Sequence, residues 1–118
     1  MNPLIELFKA AIAVPAKKPI VAYRRVSSKK QGDSGLGLEA QEAAVAKWAQ
    51  NNDATILASY TEVESGRDDD RPELAKALGH AGRSGATLVI AKLDRLSRRV
   101  AFISRVMDSG VPVVACDN

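Results

Sequence analysis

The chain has 118 residues, 17 Lys and Arg against 14 Asp and Glu, a formal net charge of +3 and 46% apolar residues, which suits one domain with one modest core and excludes a disordered chain. One cysteine (Cys116) and one histidine (His80) exclude a disulfide framework and a Cys/His zinc site, and no apolar run approaches the length of a membrane span. Carboxylates are plentiful, so a magnesium site stays open on composition, and a reducing, cytoplasmic setting fits the cysteine count.

Leu4, Ile5, Leu7, Phe8, Ala11 and Ile12 recur at helical spacing, and Pro15 and Pro19, with Lys17 and Lys18 between them, stop the helix. Residues 1–18 therefore read as an amphipathic leader and linker, and residues 19–118 as the domain. A secretory signal does not fit, because no basic region precedes the apolar stretch and Glu6 and Lys9 interrupt it. A helix packed on its own domain, a partner-binding helix and a membrane-surface helix all satisfy the stripe.

Ile20, Val21, Tyr23 and Val26 make Pro19–Val26 a strand, followed by a polar loop containing Gly32, Gly35 and Gly37. Leu38–Asn51 reads as a helix with Ala40, Ala44 and Trp48 on one face, and Ala54–Val63 as a second strand. A polar loop with the run Asp68-Asp69-Asp70 leads to Pro72, which suits the first turn of a helix. Leu74, Leu78 and Ala81 give that helix its apolar face, and Gly82 and Gly85 end it. Ala86–Ala91 reads as a strand that is apolar but for Thr87, as expected when both faces of a sheet are covered. Asp94–Ser109 reads as a helix with Val100, Ile103 and Met107 inward, capped by Gly110, and Val111–Ala115 as a fourth strand.

This alternation predicts an α/β fold: a three-layer αβα domain around a mostly parallel sheet of about four strands joined by right-handed crossovers. In such sheets the functional edge lies at the carboxyl ends of the strands, here the loops 27–37, 64–71 and 92–99. Charge is uneven along the chain. Residues 1–32 hold seven bases against one acid, residues 33–70 two against nine, and residues 71–118 eight against four. Folding that brings the two basic segments together makes a surface for a polyanion, although charge alone favours an ordinary solvated surface with no partner.

In Tyr23-Arg24-Arg25-Val26-Ser27 the strand period puts Tyr23, Arg25 and Ser27 on one side and Arg24 on the other. Ser27 there is a nucleophile facing a phosphate or a turn serine bonding local backbone. Asp70-Arg71-Pro72 opens a helix, where an anion is welcome, or where Asp70 simply caps. Three adjacent carboxylates rarely converge on a metal, so no metal is assigned. Asp94, Arg95, Arg98 and Arg99 crowd one side of a helix start, with Lys92 just before it. Arginines there oppose the helix dipole, which points to a use for them. One hydroxyl among several guanidinium groups suits attack on a phosphodiester, whose transition state gathers negative charge. The glycines of the first loop do not form the dinucleotide fingerprint or a phosphate-binding loop.

At these residues the chain resembles the catalytic domain of the serine site-specific recombinases, the resolvase/invertase family. Tyr-x-Arg-x-Ser stands as Tyr23 to Ser27 with Gln31 at the expected offset, Ser-Gly and Asp-Arg as Ser65-Gly66 and Asp70-Arg71, and Leu-Asp-Arg-Leu-Ser-Arg as Leu93 to Arg98. The resemblance covers about residues 19–118. It implies that Ser27 attacks a DNA phosphate to form a 5′-phosphoserine link. Arg25, Arg71, Arg95 and Arg98 would bind that phosphate, Asp94 would support the arginines, and Lys92, Gln31 and Asp70 would assist. It implies no metal, no cofactor and no small-molecule substrate, a homodimer on each DNA site and a tetramer in the synapse, and a cytoplasmic, nucleoid-associated protein. The match stops at Asp117-Asn118, before the long helix and DNA-binding domain that family members carry, so a truncated chain acting only as a DNA- or protein-interaction module is the alternative expectation.

Overall fold

A computed structural model describes residues 17–27, 37–64, 71–92, 104 and 106–117, with Ser27 and Glu64 as backbone. Strand β1 (Lys18–Ser27) is the centre of the fold. Ile20, Val21, Ala22 and Tyr23 are all buried, because helices cover both faces of this strand. Strands β2 (Ala54–Glu64), β3 (Thr87–Ile90) and β4 (Val113–Ala115) complete a four-stranded sheet in the order β2-β1-β3-β4, every pairing parallel. The expected α/β architecture and its parallel sheet are therefore present.

Helix α1 (Leu38–Asn51) connects β1 to β2 and packs on the face that carries Ile20, Ala22 and Val89. Helix α2 (Pro72–Ser84) connects β2 to β3 and packs on the opposite face, against Val21, Tyr23, Leu88 and Ile90. The chain thus steps from β1 to one side and then returns past it to the other. The crevice where this reversal occurs lies at the carboxyl ends of β1 and β3, the position at which open parallel sheets place their ligands.

The pairing of β1 with β2 is interrupted once. Ile20 faces Ile56 but Val21 faces Ala58, so Leu57 is an extra residue in β2. Side chains alternate across a strand, and one inserted residue reverses which face each later residue meets. Beyond Leu57, Tyr60 and Glu62 therefore lie on the α2 face, opposite Tyr23 and Arg25. Tyr60 is tied to α2 by a 2.9 Å hydrogen bond with His80.

Local chemistry sets the element ends. Asp53, at φ 51°, turns the chain after α1, and its carbonyl accepts from Lys18 N–H at 3.0 Å, fixing the start of β1. Pro72 occupies the first turn of α2, and Gly85, at φ 63°, stops it. Gly110, at φ 80°, ends the helical residues Ser104 and Val106–Asp108. Most of the helix expected over Asp94–Ser109 lies outside the described residues.

Several inward faces differ from expectation. In α1 the buried positions are Gln41, Val45 and Ala49, one step round from Ala40, Ala44 and Trp48, because the sheet receives a polar side chain at Gln41. In α2 Ala77 is buried and Leu78 only half-buried. Met107 is 71% exposed while Val106 occupies the core. Gly82 lies within α2, which continues to Ser84, and the last strand begins at Val113 rather than Val111. No helix among the described residues is long and apolar enough to cross a membrane.

Candidate active site

Three strand exits meet at the carboxyl edge of the sheet. Ser27 is the last residue of β1 and pairs in register with Glu64, the last of β2. Arg71 immediately precedes α2. Lys92, half-buried, follows β3; it stands three residues beyond Val89, as Arg25 stands three beyond Val89's partner Ala22. Arg25, Arg71 and Lys92 thus bring cationic side chains to one edge. Gln31, Asp70, Asp94, Arg95 and Arg98 lie outside the described residues.

On the α2 face the edge is organised around Glu62, which is only 5% exposed. Its carboxylate accepts from the Tyr23 hydroxyl at 3.2 Å, from Glu73 N–H at 3.3 Å and from Leu74 N–H at 3.1 Å. The last two are orphan donors at a helix start, and a carboxylate there also meets the positive end of the helix dipole. Arg71 sits at the N-cap position and makes no side-chain cap of its own, so β2 supplies the cap across the loop. Burial foremost, and then the Glu62 carboxylate, push the Tyr23 phenol well above its ordinary value, against the pull of the Arg71 guanidinium and its hydrogen bond. Tyr23 therefore remains a protonated donor at neutral pH, held between a buried carboxylate and an arginine.

On the α1 face the edge is organised around Gln41, which is 0% exposed. Arg25 N–H donates to Gln41 Oε1 at 3.2 Å, and Gln41 Nε2 donates to Arg25 C=O at 3.0 Å. The side-chain amide binds the β1 backbone as a neighbouring strand would, two residues before Ser27. The adjacent helix residue, Glu42, forms an ion pair with Arg24. The strand period thus separates two consecutive arginines, with Arg24 toward α1 and Arg25 on the side of Tyr23, as the alternation predicts.

Gln41, Glu62 and the role of Tyr23 were not singled out from sequence. A glutamine on a helix and a glutamate in a strand resemble solvent-facing residues until their partners are known. The one available signal was that Gln41 falls four residues before Val45 and eight before Ala49, on the same helical stripe. Burial, then the Asp117 carboxylate, push the half-buried Cys116 thiol up, away from the thiolate form. Among the described residues no three of His, Cys, Asp and Glu gather as a metal site would require.

A family model described as the resolvase N-terminal domain matches residues 20–118. The N-terminal catalytic domain of TP901-1 integrase has the same fold, with TM-score 0.71 at 24% identity over 85% of this chain and 79% of that one. A resolvase family site-specific recombinase from Streptococcus pneumoniae aligns with TM-score 0.66 at 25% identity, over 86% and 73%. The C-terminal catalytic domain of IS1535 TnpA, an IS607-like serine recombinase, aligns with TM-score 0.62 at 28% identity, over 81% and 69%. A search of curated proteins finds no significant match.

Proposed function

Because the chain belongs to the resolvase family, through a match that spans residues 20–118, we propose that it is the catalytic unit of a DNA recombinase that cuts and rejoins strands through Ser27. The Ser27 hydroxyl oxygen attacks the phosphorus of a phosphodiester. A serine–phosphorus bond forms, the bond from phosphorus to the 3′ oxygen breaks, the serine loses its proton, and the departing 3′ oxygen gains one. The DNA is left with a 5′-phosphoserine link and a free 3′-hydroxyl. Attack by that hydroxyl reverses the step, so rejoining draws on the covalent bond itself.

Arg25, Arg71, Arg95 and Arg98 neutralise the charge that builds on the phosphate oxygens, and the planar guanidinium suits two-point contact with them. Asp94 orients the arginines, and Lys92, Gln31 and Asp70 assist. Tyr23 and Glu62 hold the start of α2 beneath Arg71, and Gln41 holds β1 beneath Arg25. Residues 19–118 form the catalytic unit and residues 1–18 the leader. The partner is DNA, contacted here chiefly through phosphates and therefore with strong salt dependence, and the protein works as a dimer or tetramer at the nucleoid in the cytoplasm.

The observation that supports this reading best is the arrangement at the end of β1. A Tyr-x-Arg-x-Ser strand ends at the functional edge of a parallel sheet, and the arginine that opens α2 interacts with the tyrosine of that strand. The test incubates the full chain with supercoiled DNA carrying two copies of its recombination site. Detergent-resistant protein–DNA adducts with a free 3′-hydroxyl are expected from the parent chain and none from Ser27→Ala. Adducts that persist in Ser27→Ala, or protein linked to the 3′ end, would overturn the assignment.

A further inference from the structure

We infer that Tyr60 and His80 are positioning residues for Arg71: their bond sets the roll of α2 about its own axis, and with it the direction of the guanidinium at the start of that helix. The value of this to catalysis rests on the reading of Arg71 as a phosphate ligand. The Tyr60 hydroxyl and His80 Nδ1 lie 2.9 Å apart, and the two rings meet edge to face at 89° with centroids 6.0 Å apart. Both residues are half-buried, and the chemistry at Ser27 makes no direct use of either.

Two polar contacts reach from β2 to α2, and they restrain different motions. Tyr60 and Glu62 share one face of the strand, roughly 7 Å apart along it. Their partners on α2 follow in the reverse order, Leu74 N–H and the His80 ring, roughly 9 Å apart along the helix axis. Glu62 accepts from backbone N–H groups, which lie inside the roughly 2.3 Å radius of the Cα atoms. It fixes the height of α2 but has little leverage against rolling. The His80 ring stands out on a side-chain arm, where a bond resists rolling through a longer lever. Apolar packing leaves this freedom loose: Ala77 and Ala81 turn only methyl groups to the sheet, and Leu74 is the one long side chain among the buried residues of α2. A hydrogen bond weakens steeply off its axis, so it supplies the direction that smooth packing lacks. Arg71 immediately precedes Pro72, and its Nε and Nη1 are buried where the guanidinium meets Tyr23. A roll of α2 swings that side chain out of place.

Two readouts on the full chain test this, one of them independent of activity. The first is solvent exchange of the Arg71 Nε–H, followed by NMR at temperatures where each variant is fully folded. Tyr60→Phe and His80→Leu are each expected to speed this exchange about tenfold. His80→Asn sets an amide, able to give or accept the bond, where Nδ1 stands, and is expected to stay within about threefold of the parent. The second readout is single-turnover adduct formation on DNA carrying the recombination site, at saturating protein. Its rate is expected to fall about tenfold in Tyr60→Phe and His80→Leu, with the dissociation constant within about threefold, and to return in His80→Asn. Unchanged Arg71 exchange in both disrupting variants would overturn the inference. Faster exchange with an unchanged rate from bound DNA would also overturn it, since Arg71 would then be displaced without consequence. A parent chain that forms no adduct sinks the recombinase reading instead, and the exchange measurement alone then decides whether the pair sets the roll of α2.

Discussion

The two faces of β1 solve different problems within five residues of each other. On the α2 face, a buried carboxylate, a phenol and an arginine hold one another, and the groups that organise the edge are charged. On the α1 face, a neutral amide grips the backbone at Arg25, while Arg24 and Glu42 pair with each other beside it. The first face fixes where side chains stand, and the second fixes where the strand itself stands. Gln41 holds the strand without adding charge to an edge that already carries Arg25, Arg71 and Lys92.

Glu62→Ala tests the comparison hardest. It strands the buried Tyr23 hydroxyl and two α2 N–H groups, so a loss of about 3 kcal/mol or more is expected in urea denaturation. A loss under about 1 kcal/mol would show that the carboxylate is not the organiser of that face. Gln41→Leu follows, at about 2 kcal/mol from two unmet backbone groups, with a fall in adduct formation greater than stability explains. Gln41→Glu keeps the acceptor but sets a buried carboxylate against the Arg25 carbonyl, so at neutral pH it should be no more stable than Gln41→Leu.

A third measurement concerns alkaline pH. The Tyr23 phenol titrates higher in the folded chain than its ordinary value of 10.0, so the unfolded chain loses this proton first. Its contribution to stability is therefore complete below that value and declines as pH rises above it. Tyr23→Phe should flatten this alkaline decline while lowering stability at neutral pH through the lost bond to Glu62. An unchanged alkaline slope would place the phenol outside the buried cluster. The smallest effect belongs to Arg24→Ala. Glu42 is half exposed, so the ion pair is worth at most about 1 kcal/mol, and a larger loss would mean that the α1 face also depends on charge.

Much of the fold is written in the order of the residues. Leu88–Ala91 and Ile20–Tyr23 are apolar without a break because helices cover both faces, and Pro72, Gly85 and Gly110 mark helix ends by their backbone chemistry. Arg25, Arg71 and Lys92 emerge at the expected edge for the same reason: strand exits in a parallel sheet share one end. What escaped sequence reading depends on partners. Gln41 is identifiable only with the Arg25 backbone in view, and the true inward faces of α1 and of the helical residues around Val106 differ by one position from the hydrophobic count, since a glutamine was accepted inside and a methionine left outside. Leu57 was invisible for a different reason. Nothing in the alternation of Ala54–Glu64 announces an unpaired residue, and its effect is felt five residues later.

That single unpaired leucine acts as a phase shifter for everything downstream in β2. Removing it would rotate the upper half of the strand by half a turn, exchanging Glu62 for the aliphatic Val63 or the hydroxyl of Thr61 beneath the first turn of α2. Connecting loops absorb one-residue insertions and deletions readily, but here the same edit would dismantle a buried ionic centre without altering any residue in it. Gaps introduced when such chains are aligned therefore have a physical meaning at this point, and an alignment that slides past Leu57 would match residues from opposite sides of the sheet.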